Sequence, residues 1–175
     1  MIDCRQTKVV GYENGQPVDL TVVTVDNKPV ELRTANAFAQ MARAAAKEGV
    51  QIKVVSGFRT MAEQEYFFGC YQTGTCNNGN PAEPPGFSKH QSGRALDLNT
   101  KATGVGAWMQ AHAGEWGFVR AAAGTAGADE PWHWEWTGGG PPAPACIDQA
   151  DPPRVDLVSV TVGVLVGLAL WAMWR

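Results

Sequence analysis

Hydrophobic positions change their period several times along the chain, and each change marks an element. Val18–Val25 and Pro29–Arg33 are apolar-rich runs on either side of Asp26-Asn27-Lys28, the pattern of a β-hairpin. Thr34 precedes a stretch with helical spacing from Ala35 to Glu48 that stops at Gly49, which predicts a helix capped by the threonine hydroxyl. Ile52–Val55 then reads as a buried strand. Thr60 followed by Glu63 is a capping-box pattern and opens a second helix through Phe68. Cys70–Phe87, crowded with Gly, Pro and Asn, is expected as a long loop. A third helix is expected over Gly106–His112, with strands at Trp116–Arg120 and Trp132–Trp136. Helices and antiparallel strands mixed in so short a chain predict an α+β fold, an antiparallel sheet with flanking helices.

The final stretch follows a different rule. Leu157–Trp174 carries no charge, is rich in Val, Leu and Gly, and is closed by Trp171, Trp174 and Arg175. As a helix it covers roughly 27 Å, close to the hydrocarbon thickness of a bilayer, and terminal Trp and Arg suit an interface. Absence of a polar face disfavours the alternative, a buried helix of the preceding domain. Before it, Gly138-Gly139-Gly140-Pro141-Pro142-Ala143-Pro144 continues to Asp151-Pro152-Pro153, a composition suited to a partly stiff spacer. The expected organisation is therefore a domain over 1–137, a linker over 138–154 and a transmembrane helix over 155–174, anchoring the protein to a membrane. Arg154 and Arg175 flank the span on opposite sides and Asp156 blurs the count, so charge does not orient it. Met1-Ile2-Asp3-Cys4-Arg5 lacks a basic region followed by an apolar run, so export is expected by a route without such a leader, or from a start further upstream.

Composition narrows the function. With 175 residues, 45% of them hydrophobic, the chain can bury one real core. Its 14 Lys and Arg are scattered and its net charge is -3, which excludes a nucleic-acid partner whose phosphates must be neutralised in number. Twenty Gly, 11 Pro and seven Trp point to a loop-rich fold with rings in a concave site or an interface. Four Cys allow three full pairings. Cys70 with Cys76 closes a small ring and Cys4 with Cys146 joins the ends of the domain, as in an oxidising compartment; free thiols are the alternative. Cysteine zinc binding is disfavoured by the spacing.

Chemistry concentrates at two places. Of three His, His90 lies in Ser88-Lys89-His90-Gln91-Ser92-Gly93-Arg94-Ala95-Leu96-Asp97 and His133 closes Glu130-Pro131-Trp132-His133. Imidazole nitrogen and carboxylate oxygen are ligands that Zn²⁺ takes in hydrolytic sites, where three protein ligands leave a fourth position for water. His90, Asp97 and His133 supply that count. Glu130 is then free to act as a base toward the attacking water, provided that the chain bends at Pro131 to bring it to the side of His133. Nitrogen and oxygen donors alone do not select one divalent ion. His112 has no acid at ligand spacing and reads as structural or solvent-facing.

The two segments, Ser-x-His-x-x-Gly-x-Ala-x-Asp over 88–97 and Glu-x-x-His over 130–133, resemble the zinc metallopeptidases of the LAS group (lysostaphin, D-Ala-D-Ala peptidase and hedgehog-like proteins), especially the VanY-like D-alanyl-D-alanine carboxypeptidases. Ser56-Gly57-Phe58-Arg59-Thr60, Gln64 and Trp116-Gly117-Phe118 extend the similarity, which covers residues 30 to 137. The resemblance implies one zinc ion on His90, Asp97 and His133, Glu130 as general acid and base, and Arg59 as the donor to the oxyanion. It implies peptidoglycan stem peptides as substrate, cut at or near D-Ala. Ser88 and Gln64 are expected to orient that substrate, with Trp132 the tryptophan best placed to stack on it. Arg59 otherwise pairs with Glu63 or Glu65 on the surface, and Trp132, Trp134 and Trp136 otherwise share a core face, with Glu135 exposed beside them.

Three other readings remain at this level. An endopeptidase, as a phage lysin or an antibacterial toxin, uses the same chemistry. A non-catalytic zinc-containing binding module keeps the metal and is expected to lose the base, whereas Glu130 is present. A holin-like membrane factor would act through its helix.

Overall fold

The computed structural model describes residues 2–120, 129–140 and 146, and these form two sheets, three helices and two short 3-10 turns. The first sheet is antiparallel in the order β1 (Ile2–Glu13), β2 (Gln16–Val25), β3 (Lys28–Glu31). Asp26 and Asn27, at φ 48° and 64°, form the expected tight turn between β2 and β3. β1 was not expected. It is the partner of β2 in a long ribbon turned at Asn14-Gly15, both with positive φ, and Asn-Gly between alternating residues is the sequence signal that marks it.

Helix α1 (Leu32–Lys47) begins earlier than its sequence suggests, because Glu31 and not Thr34 is its cap. The Glu31 carboxylate accepts from the amides of Arg33 (2.9 Å) and Thr34 (3.0 Å). Thr34 is buried inside the helix and its hydroxyl donates to the Gly93 carbonyl (2.8 Å), tying α1 to the loop that carries His90. Strand β4 (Val54–Ser56) follows. Helix α2 (Met61–Thr73) has the capping box of Thr60 and Glu63, but runs past Phe68 and stops at Gly74 in the left-handed conformation. The remaining elements are β5 (Ala95–Leu98), α3 (Val105–His112), β6 (Phe118–Arg120) and β7 (His133–Trp136). Trp116 falls in a 3-10 turn before β6.

The second sheet, β4-β5-β7-β6, is antiparallel and divides core from site by strand alternation. Leu96 and Leu98 on β5 and Trp134 on β7 point into the main core with Phe38, Met41, Met109 and Phe118, and Trp136 packs against it. Asp97, His133 and Glu135 therefore point to the other face. Glu135 is half-buried there beside His133, where the sequence suggested an exposed strand residue.

Both expected disulfides are present, Cys4–Cys146 and Cys70–Cys76. Cys146 is buried in the core, its amide donating to Asn36 Oδ1 (2.8 Å) and its carbonyl accepting from Asn36 Nδ2 (3.0 Å), so packing reaches past Thr137. The proposed span at 155–174 lies outside the described residues; among the described residues no helix is long and apolar enough to cross a membrane.

The turn of the β1–β2 ribbon lies on the loop before His90. Gly15 N donates to Gly86 O (2.9 Å) and Tyr12 N to Gln91 O (3.0 Å). A Cβ at Gly11 would lie 2.5 Å from Gln91 O and 2.4 Å from Leu20 Cδ1. Gly11→Ala is expected to cost about 1–3 kcal/mol in urea unfolding through overpacking. Gly69→Ala, in α2 with nothing within 4 Å of the added carbon, is expected to stabilise by about 0.5–1 kcal/mol by the helix preference for alanine. Equal signs for the two would contradict this packing.

Candidate metal centre and active site

Register brings the site together. In the β4–β5 pairing Ser56 is opposite Asp97, and in the β5–β7 pairing Asp97 is opposite His133. Three neighbouring strands thus place a serine, a carboxylate and an imidazole in one row. His90 comes from the loop before β5, which folds back so that His90 Nδ1 lies 2.7 Å from the Gly57 carbonyl. Arg59, just past β4, reaches into the same row.

One ligand atom from each of His90, Asp97 and His133 lies within 4.8 Å of the others. Asp97 Oδ1 is 3.3 Å from His90 Nε2 and 3.1 Å from His133 Nδ1, while Oδ2 accepts from Arg59 Nη2 at 2.9 Å. The rings stand 5.0 Å apart between centroids, steeply inclined at 64°. Two imidazole nitrogens and one carboxylate oxygen aimed at a common point form a donor set suited to a divalent cation such as zinc. Each imidazole also has an acceptor at its other nitrogen, as ligating histidines require: the Gly57 carbonyl for His90, and Glu135 Oε1, 3.5 Å away, for His133.

Around this cluster the charges are strongly perturbed. Burial lowers the His90 pKa, against the opposing pull of Asp97. Burial works against ionisation of Asp97 as well, yet His90, His133 and Arg59 more than reverse it and hold the carboxyl well below its usual range. His133 is pushed up to about 9: burial opposes its charge, and hydrogen bonds to Asp97 and Glu135 outweigh burial. Burial raises the Glu130 pKa, with Asp97 adding to the shift while His133 and Arg59 oppose it. Burial lowers that of Arg59, and Asp97 opposes the shift.

Glu130 belongs to this cluster by its turn. The His133 amide donates to the Glu130 carbonyl at 3.0 Å, and the intervening Pro131-Trp132 turn makes the bend that a regular strand lacks. The Trp132 side chain hydrogen-bonds the Glu130 carboxylate, and Lys101 Nζ stands 5.8 Å from the centre of its ring. Arg59 is paired with Asp97, and its guanidinium lies 4.6 Å over Phe67; Glu63, one of the two surface alternatives, caps α2.

Ser88 and Gln64 are enclosed. Ser88 Oγ accepts from the His90 amide at 3.3 Å and so shapes the turn presenting that ring. Gln64 is fully buried; Nε2 donates to Glu83 O (2.7 Å), and Oε1 has no hydrogen-bond partner among the described residues. His112 lies away from the cluster and pairs with Glu115 at 3.0 Å. Glu135, the Gly57 carbonyl and Phe67 also adjoin this cluster; in the sequence Glu135 reads as an exposed residue, Gly57 is named only within a motif and Phe67 is not singled out. For Glu135 a signal existed, its position two residues after His133 on one strand face.

An α+β fold that buries a two-histidine, one-aspartate cluster beside a carboxylate and an arginine has the components of a metallohydrolase centre. The chain belongs to the VanY D-alanyl-D-alanine carboxypeptidase family, whose sequence profile matches residues 27–139. YodJ of Bacillus subtilis (strain 168), named as a provisional carboxypeptidase, is 27% identical over 151 residues covering 71% of this chain. The chain spans about half, 55%, of that relative's length. Among solved structures, VanYB in complex with D-Ala-D-Ala superposes with a TM-score of 0.59 at 24% identity, over 71% of this chain and 83% of that one. The Zn(II) complex of the vancomycin-resistance D,D-pentapeptidase VanY gives 0.58 at 24% identity, over 71% and 85%. These two likenesses establish the shared fold.

The pKa of His133 sets how a cation enters. A folded-state value near 9 leaves the ring protonated at pH 7, and the cation must displace that proton from Nδ1. Zinc binding to the metal-free protein is expected to release about one proton at pH 7 and to tighten as pH rises toward about 9. Calorimetry in buffers of different ionisation enthalpy measures the release; no buffer dependence would show that His133 is not protonated there.

Proposed function

We propose that this protein is a zinc D,D-carboxypeptidase acting on peptidoglycan stem peptides that end in D-Ala-D-Ala. The observation that carries the reading is the convergence of His90, Asp97 and His133 within 4.8 Å in a member of the VanY family. The solved relatives with the same fold include one in complex with D-Ala-D-Ala and one with Zn(II), which supports that substrate class and that ion.

His90 Nε2, His133 Nδ1 and the Asp97 carboxylate would hold the zinc. The ion's contribution there is Lewis acidity toward the scissile carbonyl and toward water. Glu130 takes a proton from the attacking water and returns it to the amine that leaves. Partial burial raises its pKa, which suits a group that must both accept and donate near neutrality. Arg59 remains charged despite burial, and its guanidinium donates to the oxygen that gains negative charge as the carbonyl becomes tetrahedral. Trp132 holds Glu130 through its indole and flanks the substrate. Ser88 and Gln64 act from behind, through the His90 turn and the Glu83 segment.

A free terminal carboxylate at the pocket distinguishes a carboxypeptidase from an endopeptidase, and the carboxypeptidase is favoured here by family. The two disulfides are compatible with an oxidising compartment, and the apolar segment at 157–174 would tether the domain to a membrane facing the wall.

Defined muropeptides with and without a terminal D-Ala-D-Ala test the reading by mass spectrometry of the products. Loss of one terminal D-Ala is expected, and cleavage confined to cross-links would replace the carboxypeptidase by an endopeptidase. Glu130→Gln is expected to keep zinc while lowering kcat by about 10²–10⁴-fold, and Arg59→Lys to lower it by about 10²–10³-fold. Full activity in Glu130→Gln would remove the assigned mechanism.

A further inference from the structure

We propose that Glu135 is a positioning residue of the metal centre: its carboxylate accepts the Nε2 proton of His133 and so holds the lone pair of Nδ1 toward the cation. This rests on the metal reading of the His90, Asp97 and His133 cluster.

The two histidines present opposite nitrogens. His90 has Nδ1 against the Gly57 carbonyl at 2.7 Å and Nε2 toward Asp97 at 3.3 Å. A carbonyl only accepts, so the His90 proton is on Nδ1 and Nε2 is the donor atom. His133 is reversed, with Nδ1 toward Asp97 at 3.1 Å and Nε2 facing Glu135 Oε1 at 3.5 Å. A neutral imidazole binds a cation through the nitrogen that lacks the proton, so His133 must keep its proton on Nε2. Glu135 is the acceptor that fixes this tautomer, in the place that Gly57 occupies for His90.

Placement of Glu135 is built into the sheet. It stands two residues after His133, hence on the same face, in a strand flanked on both sides: Glu135 is opposite Ala95 on β5 and opposite Val119 on β6. Ala95 offers only a methyl group, which leaves the carboxylate room to lean toward His133. His133 Nε2 is the imidazole nitrogen that faces that carboxylate, 3.5 Å away. A carboxylate also makes the imidazole a stronger donor than a backbone carbonyl does, so the two histidines need not contribute equally to holding the ion.

The test uses the full chain as wild type, Glu135→Ala, Glu135→Gln and His133→Ala, each checked for folding by circular dichroism. Zinc affinity is read by competition with a chromogenic chelator, and the ligand field by the visible spectrum of the Co(II)-substituted protein. Glu135→Ala is expected to weaken zinc binding by about 10–100-fold and to shift the Co(II) bands. Glu135→Gln recovers most of the affinity, because its amide oxygen accepts the same proton. In the zinc-loaded wild type, nitrogen-15 NMR should show His133 protonated at Nε2, with that resonance lost or exchange-broadened in Glu135→Ala. Zinc affinity and Co(II) bands unchanged in both Glu135 variants would overturn the proposal. Failure of the wild type itself to take up zinc, with His133→Ala indistinguishable from it, would instead overturn the metal reading and this proposal with it.

Discussion

A buried negative charge at Asp97 is the constraint around which the rest is arranged. The residue is 9% exposed, and a carboxylate removed from water is tolerated only where opposite charge and hydrogen bonds replace its hydration. Arg59 takes one oxygen and the two imidazoles share the other. Because these partners come from the end of β4, the loop before β5 and the start of β7, the sheet must hold the register that delivers them. A slip of one residue in β5 would turn Asp97 into the core and Leu96 or Leu98 out to the site.

The same alternation allows core and chemistry to occupy adjacent residues without mixing. Leu96, Leu98 and Trp134 fill one side of the sheet while Asp97, His133 and Glu135 line the other. The loop bearing His90 is then fastened from two directions. Thr34 bonds Gly93 from inside α1, and the β1–β2 ribbon bonds Gly86 and Gln91 from outside. Fixing the backbone on both sides of an imidazole in this way limits the motion of the nitrogen that a metal would need.

Much of this was legible in the residues, for identifiable reasons. The capping box at Thr60 and the hairpin at Asp26-Asn27 depend on local spacing, which a sequence displays directly, whereas the grouping of His90, Asp97 and His133 is suggested by ligand chemistry and by family resemblance, since their spacing alone is common. What escaped depends on partners far away in the chain. Thr34 looks like a cap until Glu31, pinned at the end of β3, takes the amides and the threonine turns to Gly93. β1 begins in a polar stretch with a register shift between Asp3 and Thr7, which weakens its alternation even though Asn14-Gly15 marks the turn. Gln64 follows an arginine at a spacing suited to a site, but the helix carries it inward to the Glu83 carbonyl. Glu135 was readable from alternation alone, once His133 is assigned to the site face.

The Cys4–Cys146 bridge has a mechanical consequence. Its two α-carbons are 5.5 Å apart although 142 positions separate them in sequence. A pull applied between the segments leading into Cys4 and out of Cys146 would therefore run through a single covalent link. Beyond the Ile2–Asp3 end of β1 the sheets would be spared the load, and the row of side chains from Ser56 to His133 would keep its geometry under tension for as long as that link stays oxidised.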